Sequence, residues 1–217
     1  MLELEVVHLR YRLKELSFDT IRFISVFLTD TVVNSYFSDR NPTYEYITAG
    51  VVNNNTIYMN NYITINKGAK DGIRPDMGVI SPHGVAGIVM TVKSHYSVVI
   101  PILNTKLNIS CKVKNTDFFG PLSWIGGDVE YAFLEELPTH AVFEVGDTIV
   151  TSGYSAMFPP GIMVGIVDSY GKQRDDNFYS LKVRLATDFR SLNVLCVILN
   201  NMQEEQWEVE REVMRND

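Results

Sequence analysis

Alternation of apolar and polar side chains with a period of two dominates the sequence from Tyr44 to Leu199. Short runs rich in β-branched and aromatic residues recur there between turn residues, and scarcely any helical periodicity interrupts them. About a dozen strands fit into this stretch, which is too many for one small barrel. The sequence therefore predicts a mainly β protein with two small antiparallel β-barrels of roughly six strands each.

Two of the predicted strands have distinct patterns. From Leu107 to Val113 the apolar residues fall on one face and Asn108, Ser110 and Lys112 on the other, which is typical of a half-buried antiparallel strand. By contrast, the run from Val194 to Leu199 is apolar on both faces. We therefore expect it to be a central strand or to be covered on both sides.

A weak internal repeat supports two barrels. Residues Met77–Ser81 followed by Gly84–Val89 recur as Asp147–Thr151 followed by Gly161–Val167. Each copy predicts a strand, a tight turn and a second strand with an internal glycine, which permits the bulge or sharp coil that a small barrel needs to close.

Glycines punctuate the predicted turns. Pro160-Gly161 suits the central positions of a type II turn, because proline fixes the first φ and glycine supplies the positive second φ. The glycines assigned to structural turns are Gly68, Gly72, Gly84, Gly87, Gly153, Gly161 and Gly165.

The first 34 residues have a different, helical pattern. Val6, Leu9, Leu13 and Leu16 recur at steps of three and four, which predicts the end of a coiled coil and a self-association seam. A helix packed on its own domain is the alternative. Residues 35–43 contain Asn41-Pro42, which disfavours helix, and are assigned as a linker.

The domain boundaries follow from these patterns. We assign residues 44–116 to the first barrel and 117–200 to the second, placing the boundary at a polar interruption near residues 115–120. The pattern leaves open whether a strand crosses between the barrels.

Charge argues against a nucleic-acid partner, since the net charge of −7 repels phosphate and no cluster of Lys and Arg offsets it. The acidic tail, residues 201–217, supplies −4 of that charge. It is expected to be solvated, although Trp207 with Val213 or Met214 could give a short helix an apolar edge.

The sequence has few groupings of residues that are typical of a metal site or a catalytic site. His8, His83, His95 and His140 have no Cys or second His at a ligand spacing, so we expect neither a metal nor another cofactor. Cys111 and Cys196 lie in apolar runs and are interpreted as buried small hydrophobic residues, with a disulfide or a reactive thiol as the alternative. We expect no catalytic residue and therefore no enzyme.

Two alternative functions stay open. A two-barrel, serine-protease-like hydrolase would use Ser155 with His83 or His95, although no nucleophile motif surrounds that serine. A cell-wall-binding β module would need an exposed aromatic platform, for which Trp124 and Tyr131 are the convenient pair.

Two glycine-rich blocks resemble the MreC family of rod shape-determining proteins. The first runs from Asn61 to Ile73 and continues through Met77–Ser81 and Gly84–Val89; the second comprises Gly146–Gly153 and Phe158–Val167. The resemblance implies a non-catalytic scaffold of the bacterial cell-elongation machinery that organises peptidoglycan synthases outside the cytoplasmic membrane. It also implies an N-terminal membrane helix, absent from this chain, and contacts with the elongation-specific penicillin-binding transpeptidase, MreD and the MreB system.

Recognition by such a scaffold is expected at sheet edges and loops. Tyr154, Met157 and Phe158 precede Pro159-Pro160 in the second glycine-rich hairpin and are predicted partner-binding anchors. The alternative is that they cap the core of the barrel. Homodimerisation or higher self-assembly is expected through the helical seam.

The seam makes a prediction that sedimentation can test. We expect the wild-type chain to dimerise across a concentration series, and a variant with Leu9→Asp and Leu13→Asp to stay folded but monomeric, because a buried carboxylate disrupts an apolar seam. A wild type that is also monomeric would contradict this assignment.

Overall fold

The computed structural model describes residues 44–172 and 178–214, with side chains of the final helix described as far as residue 212. The predicted lead-in, linker and self-association residues Val6, Leu9, Leu13 and Leu16 lie outside this part of the chain. Twelve strands and two helices form here. The strands are β1 (Tyr44–Asn54), β2 (Ile63–Ile65), β3 (Gly78–Ser81), β4 (Gly84–Val92), β5 (Ser97–Pro101), β6 (Asn108–Val113), β7 (Phe119–Ser123), β8 (Tyr131–Pro138), β9 (Thr148–Thr151), β10 (Met163–Lys172), β11 (Phe178–Leu185) and β12 (Val194–Asn200). A 3-10 turn spans Ala69–Asp71, and the helix α1 spans Gln203–Met214.

The strands close into two antiparallel six-stranded barrels, which confirms the predicted fold class. The first barrel has the order β1-β12-β3-β4-β5-β2, and the second has the order β10-β11-β8-β7-β6-β9. Closure pairs every strand on both sides and so removes the free sheet edges at which other chains could add.

The assigned domain boundary is corrected by this topology. β6 belongs to the second barrel, where it pairs with β7 and β9, and β12 returns to the first barrel, where it pairs with β1 and β3. The physical reason is closure, since without β12 a gap would separate β1 from β3. The second barrel is thus inserted into the chain between the fifth and sixth strands of the first.

The structure has the buried strand faces that the alternation of apolar and polar residues predicted. In β6, Ile109, Cys111 and Val113 are buried while Asn108 points outward. β12 is a central strand with four consecutive buried residues, as its apolar character on both faces predicted. Both cysteines are free and buried, and burial raises the pKa of the Cys111 thiol far above its ordinary value, which keeps it protonated and unreactive.

Two further segments complete the first barrel. Strand β2 is short, at Ile63–Ile65, because Asn61 organises the loop before it. The Asn61 side chain donates to the carbonyl oxygens of Tyr58 and Leu103 and accepts the amide of Tyr58. The acidic tail forms the helix α1, whose first turn is tied to the first barrel by a hydrogen bond from Gln203 Nε2 to the Asp76 carbonyl and by an ion pair between Arg74 and Glu204.

The glycines assigned to turns fall into two groups. Three have positive φ, including the predicted type II position Gly161 at 89°; the others are Gly72 and Gly153. The remaining four sit where another segment approaches the backbone so closely that a Cβ would lie within 2.4 Å of a carbonyl oxygen: Gly68, Gly84, Gly87 and Gly165.

The two repeated hairpins, β3–β4 and β9–β10, occupy equivalent places in the two barrels. Each has an irregular register, at residues 79–80 and 163–165 respectively. They also meet at the junction between the barrels. A Cβ at Gly84 would lie 2.4 Å from the Met163 carbonyl oxygen, and one at Gly78 would lie 2.4 Å from that of Met157.

Buried hydroxyls reinforce this junction. Thr187, which follows the last strand of the second barrel, lies with its Oγ1 2.8 Å from Ser81 Oγ and donates to the Val85 carbonyl at 2.9 Å. Ser81 Oγ also donates to the Gly84 carbonyl within its own turn. Because these groups are buried, each hydrogen bond avoids the cost of an unpaired polar atom and so favours one orientation of the barrels.

A Gly84→Ala variant tests the junction. The added methyl group would meet the Met163 carbonyl, so we expect a loss of about 1–3 kcal/mol in the free energy of unfolding, measured by urea denaturation. The matched control is Gly171→Ala, since a Cβ at Gly171 meets no atom within 4 Å. That control should change stability by less than about 0.5 kcal/mol. Equal effects of the two substitutions would contradict close packing at Gly84.

Candidate partner-binding surface

The second barrel has one buried end and one free end. Its strands alternate in direction, so the end of β9 and the start of β10 lie at the junction with the first barrel, where Gly84 and Gly78 meet Met163 and Met157. The opposite end is formed by the connections that leave β6 and β8, together with the end of β10 and the start of β11. We call this the distal end.

Aromatic side chains concentrate at the distal end. Phe143 lies in the β8–β9 connection and contacts the rings of Tyr170 and Tyr179, with centroids 5.1 and 5.2 Å apart in edge-to-face geometry. The Phe118 and His140 rings are 5.5 Å apart in the same geometry. Such pairs stabilise one another beyond their area of burial. They therefore fix the shape of this end.

Exposed apolar groups surround these ring contacts. Phe119, at the start of β7, packs its ring 4.6 Å from that of Tyr154 on the outer wall. The exposed apolar residues at this end are Phe119, Val142, Val145, Tyr170 and Phe178. Tyr154 belongs to the connection between β9 and β10, and its exposed ring reaches Phe119 along the outer wall. We define these six residues as the distal aromatic surface. Clustered exposed apolar side chains mark interaction sites more often than single ones do.

The predicted anchors separate in the structure. Tyr154 is 69% exposed and belongs to the distal aromatic surface, whereas Phe158 is only 2% exposed and Met157 is half-buried. The assignment of Phe158 to a partner-binding surface is therefore corrected. A Cβ at Gly78 would lie 2.7 Å from the Phe158 ring, so this side chain fills the junction between the barrels, in line with the alternative core-capping interpretation.

Sequence reasoning missed most of the distal aromatic surface. Phe119 and Tyr170 lie at the ends of strands, and Val142 and Val145 lie in a connection of the second barrel. Apolar residues inside a connecting loop, as in 142–145, were the available signal, because loops are normally polar. Their convergence depends on strand directions and could not be derived from spacing.

A second exposed apolar region lies in a cleft between the barrels. It has a volume of about 380 Å³ and is lined by the β1–β2 loop and the segment after β7, with Arg190 beside them. Ile57, Tyr58 and Met59 are exposed there. Arg190 forms an exposed ion pair with Glu130.

The aromatic platform named for a cell-wall module does not form. Trp124 is 3% exposed and donates its indole N–H to the Asp128 carbonyl at 2.7 Å. Lys182 Nζ lies 3.9 Å from the centroid of the Tyr131 ring and covers it. With Trp124 buried and Lys182 over the Tyr131 ring, the two residues do not form an exposed aromatic pair.

The serine and the histidines named for a hydrolase each have other partners in the described hydrogen bonds. Ser155 Oγ accepts the amide of Met157, a contact within its own turn. Ring nitrogen Nε2 of His95 lies 3.3 Å from Lys70 Nζ, and the amide of His83 donates to Ser81 Oγ. Over residues 44–172 and 178–214, no group of three His, Cys, Asp or Glu side chains could hold a metal ion. Nor do the helices described in that part of the chain include one long and apolar enough to span a membrane.

The contrast between Phe158 and Tyr154 is testable by thermal and urea unfolding. Phe158→Ala should cost about 3–5 kcal/mol, because it leaves a cavity at the junction. Tyr154→Ala should stay within about 0.5 kcal/mol of the wild type, as expected for an exposed side chain. A large loss at Tyr154 would mean that it supports the barrel and is not a free anchor.

Comparisons with known proteins identify the family. The family model for the barrel core of rod shape-determining protein MreC matches residues 51–199. The cell shape-determining protein MreC of Listeria monocytogenes is 29% identical over 158 residues, which are 71% of this chain and 54% of that protein. The chain thus spans about half the length of that relative.

Solved structures of the family share the fold. MreC from Listeria monocytogenes superposes with a TM-score of 0.68 at 25% identity, covering 79% of this chain and 86% of that one. A complex between penicillin-binding protein PBP2 and MreC from Helicobacter pylori also contains the fold, with a TM-score of 0.56 at 15% identity over 71% of this chain and 98% of that one. Two closed barrels, both glycine-rich hairpins and a match over most of the chain lead to one conclusion: this protein belongs to the MreC family of rod shape-determining proteins.

Proposed function

We propose that this protein is a non-catalytic scaffold of the cell-elongation machinery, acting outside the cytoplasmic membrane, and that its distal aromatic surface docks the elongation-specific penicillin-binding transpeptidase. The observation that carries the proposal is the free aromatic end of a barrel whose other end is fixed to its neighbour. Membership in a cell shape-determining family supports the role, and the Helicobacter pylori relative has been solved in complex with PBP2.

The physical properties of the surface fit a docking role. Aromatic side chains present large contact areas and lose little conformational entropy on binding, which is why they are enriched among the residues that dominate interface energies. The edge-to-face contacts of Phe143 hold Tyr170 and Tyr179 in place before any partner arrives. Pre-ordering of this kind lowers the entropic cost of association.

The scaffold role does not require a bond-making step. A closed barrel binds partners through side chains and loops, because it has no free strand edge to which a partner strand could add. Family membership also supports contacts with MreD and the MreB system and anchorage to the membrane, and these belong to the same proposal.

Binding of the purified chain to the elongation transpeptidase of its own organism tests the docking site. Replacement of Phe119 and Tyr154 by Ser should weaken binding at least about tenfold, corresponding to about 1.4 kcal/mol, as measured by biolayer interferometry. The matched control replaces Ile57 and Tyr58, at the cleft between the barrels, by Ser. Both variants change exposed apolar residues, so neither should unfold the barrels.

Comparison of the two variants shows which surface binds the transpeptidase. A loss confined to the Phe119/Tyr154 variant supports the distal aromatic surface. A loss confined to the Ile57/Tyr58 variant would move the docking site to the cleft and contradict the assignment. Failure of the wild-type chain to bind the transpeptidase would contradict direct docking by these barrels.

A further inference from the structure

The helix α1 exposes an apolar stripe on the face turned away from the barrel. Gln203 is buried against the first barrel and Trp207, one turn later, is half-buried. Met202 and Val209 are 50% and 59% exposed. Met202 directly precedes α1, and its carbonyl accepts the amide of Gln206, so the first helical turn extends back to it. Met202 and Val209 are seven residues apart and lie roughly opposite Trp207, so they share one outward stripe.

This helix is poorly supported by its own barrel. The side chains described after Trp207 are exposed, and the hydrogen bond and the ion pair that tie α1 to the barrel come from Gln203 and Glu204 in its first turn. A helix of 12 residues is marginally stable when isolated in water. An apolar stripe on such a helix indicates a packing partner.

The register of the first barrel shows which segment is nearest. Tyr44, the first residue of β1, pairs with Asn200, the last residue of β12. Asn201 Nδ2 also donates to Glu45 Oε1 at 3.1 Å. Tyr44, the first described residue, therefore lies beside the start of α1.

The segment before β1 contains suitable apolar side chains. Eight of the residues between 20 and 33 are apolar, and only Arg22 and Asp30 are charged. The intervening residues 35–43 can span about 30 Å when extended, and α1 is about 18 Å long. Residues 20–33 can therefore reach any part of the outward stripe.

The negative charge of α1 argues against the α1 helix of a second copy of the chain as the packing partner. α1 carries five glutamates and one arginine, so two such helices would repel each other. Residues 20–33 have one positive and one negative charge and carry no such repulsion.

We propose that the outward stripe of α1, formed by Met202 and Val209, packs against residues 20–33 of the same chain. The acidic C-terminal helix then braces the segment that leads into the first barrel. The brace lies at the end of the first barrel where β1 starts and β12 ends, and it is independent of transpeptidase docking.

Site-specific photocrosslinking on the full chain tests this contact. It does not require knowing which residues of 20–33 face Val209. The photoreactive residue p-benzoylphenylalanine replaces Val209 in one variant and Glu208, which is exposed on another face, in the matched control. After illumination and trypsin digestion, mass spectrometry should link the peptide containing position 209 to the peptide of residues 23–40, several-fold more often than in the control. Circular dichroism checks that both variants keep the barrels folded.

Mixing isotope-labelled and unlabelled chains distinguishes a brace within one chain from an interface between copies. Crosslinks confined to single-isotope species are the expected result. Mixed-isotope crosslinks, crosslinks from position 209 only to barrel peptides, or equal yields at positions 208 and 209 would each overturn the proposal.

Discussion

The close backbone contact between the two glycine-rich hairpins is the constraint on which the rest of this structure depends. At Gly84 and Gly78 the backbone of one barrel meets carbonyl groups of the other at distances that a Cβ would not tolerate. Two closed barrels have convex walls, and small residues let such walls approach until their carbonyls and hydroxyls pair. The buried contacts of Ser81, Thr187 and Val85 then select one orientation. That orientation buries one end of the second barrel and leaves its aromatic end free.

The chain topology also makes the two barrels hard to separate at this junction. The first barrel is completed by β12, so the chain leaves it after β5, builds the whole second barrel and returns. Two connections therefore cross the junction instead of one. The first barrel pairs strands far apart in sequence, as Tyr44 with Asn200 shows, and its closure must await the C-terminal strand. Such long-range pairing slows folding in general, because the entropy of closing a long loop is lost before the contacts form.

Closure also determines how a protein of this kind can recognise others. A sheet with open edges can bind an extended segment through its backbone, but a barrel has no such edge. Recognition must then come from side chains on walls and ends. Most of the large apolar groups exposed in the described residues lie on the distal aromatic surface, in the cleft or along α1. The first is prearranged by ring contacts, which distinguishes it as the strongest docking candidate.

The sequence by itself determined the local structure of this protein. Alternation in β6 predicted its buried face, the doubly apolar β12 predicted a central strand, and the glycine-punctuated repeat predicted equivalent hairpins in two barrels, because each of these depends on neighbours along the chain. The tertiary structure alone decided which barrel receives β6 and β12, that Phe158 is buried while Tyr154 is exposed, and that Phe119, Val142 and Tyr170 lie at one end of the second barrel. These outcomes depend on which strands pair and on where two convex walls meet. Strand pairing and the approach of two walls are long-range properties, and local periodicity carries little information about them.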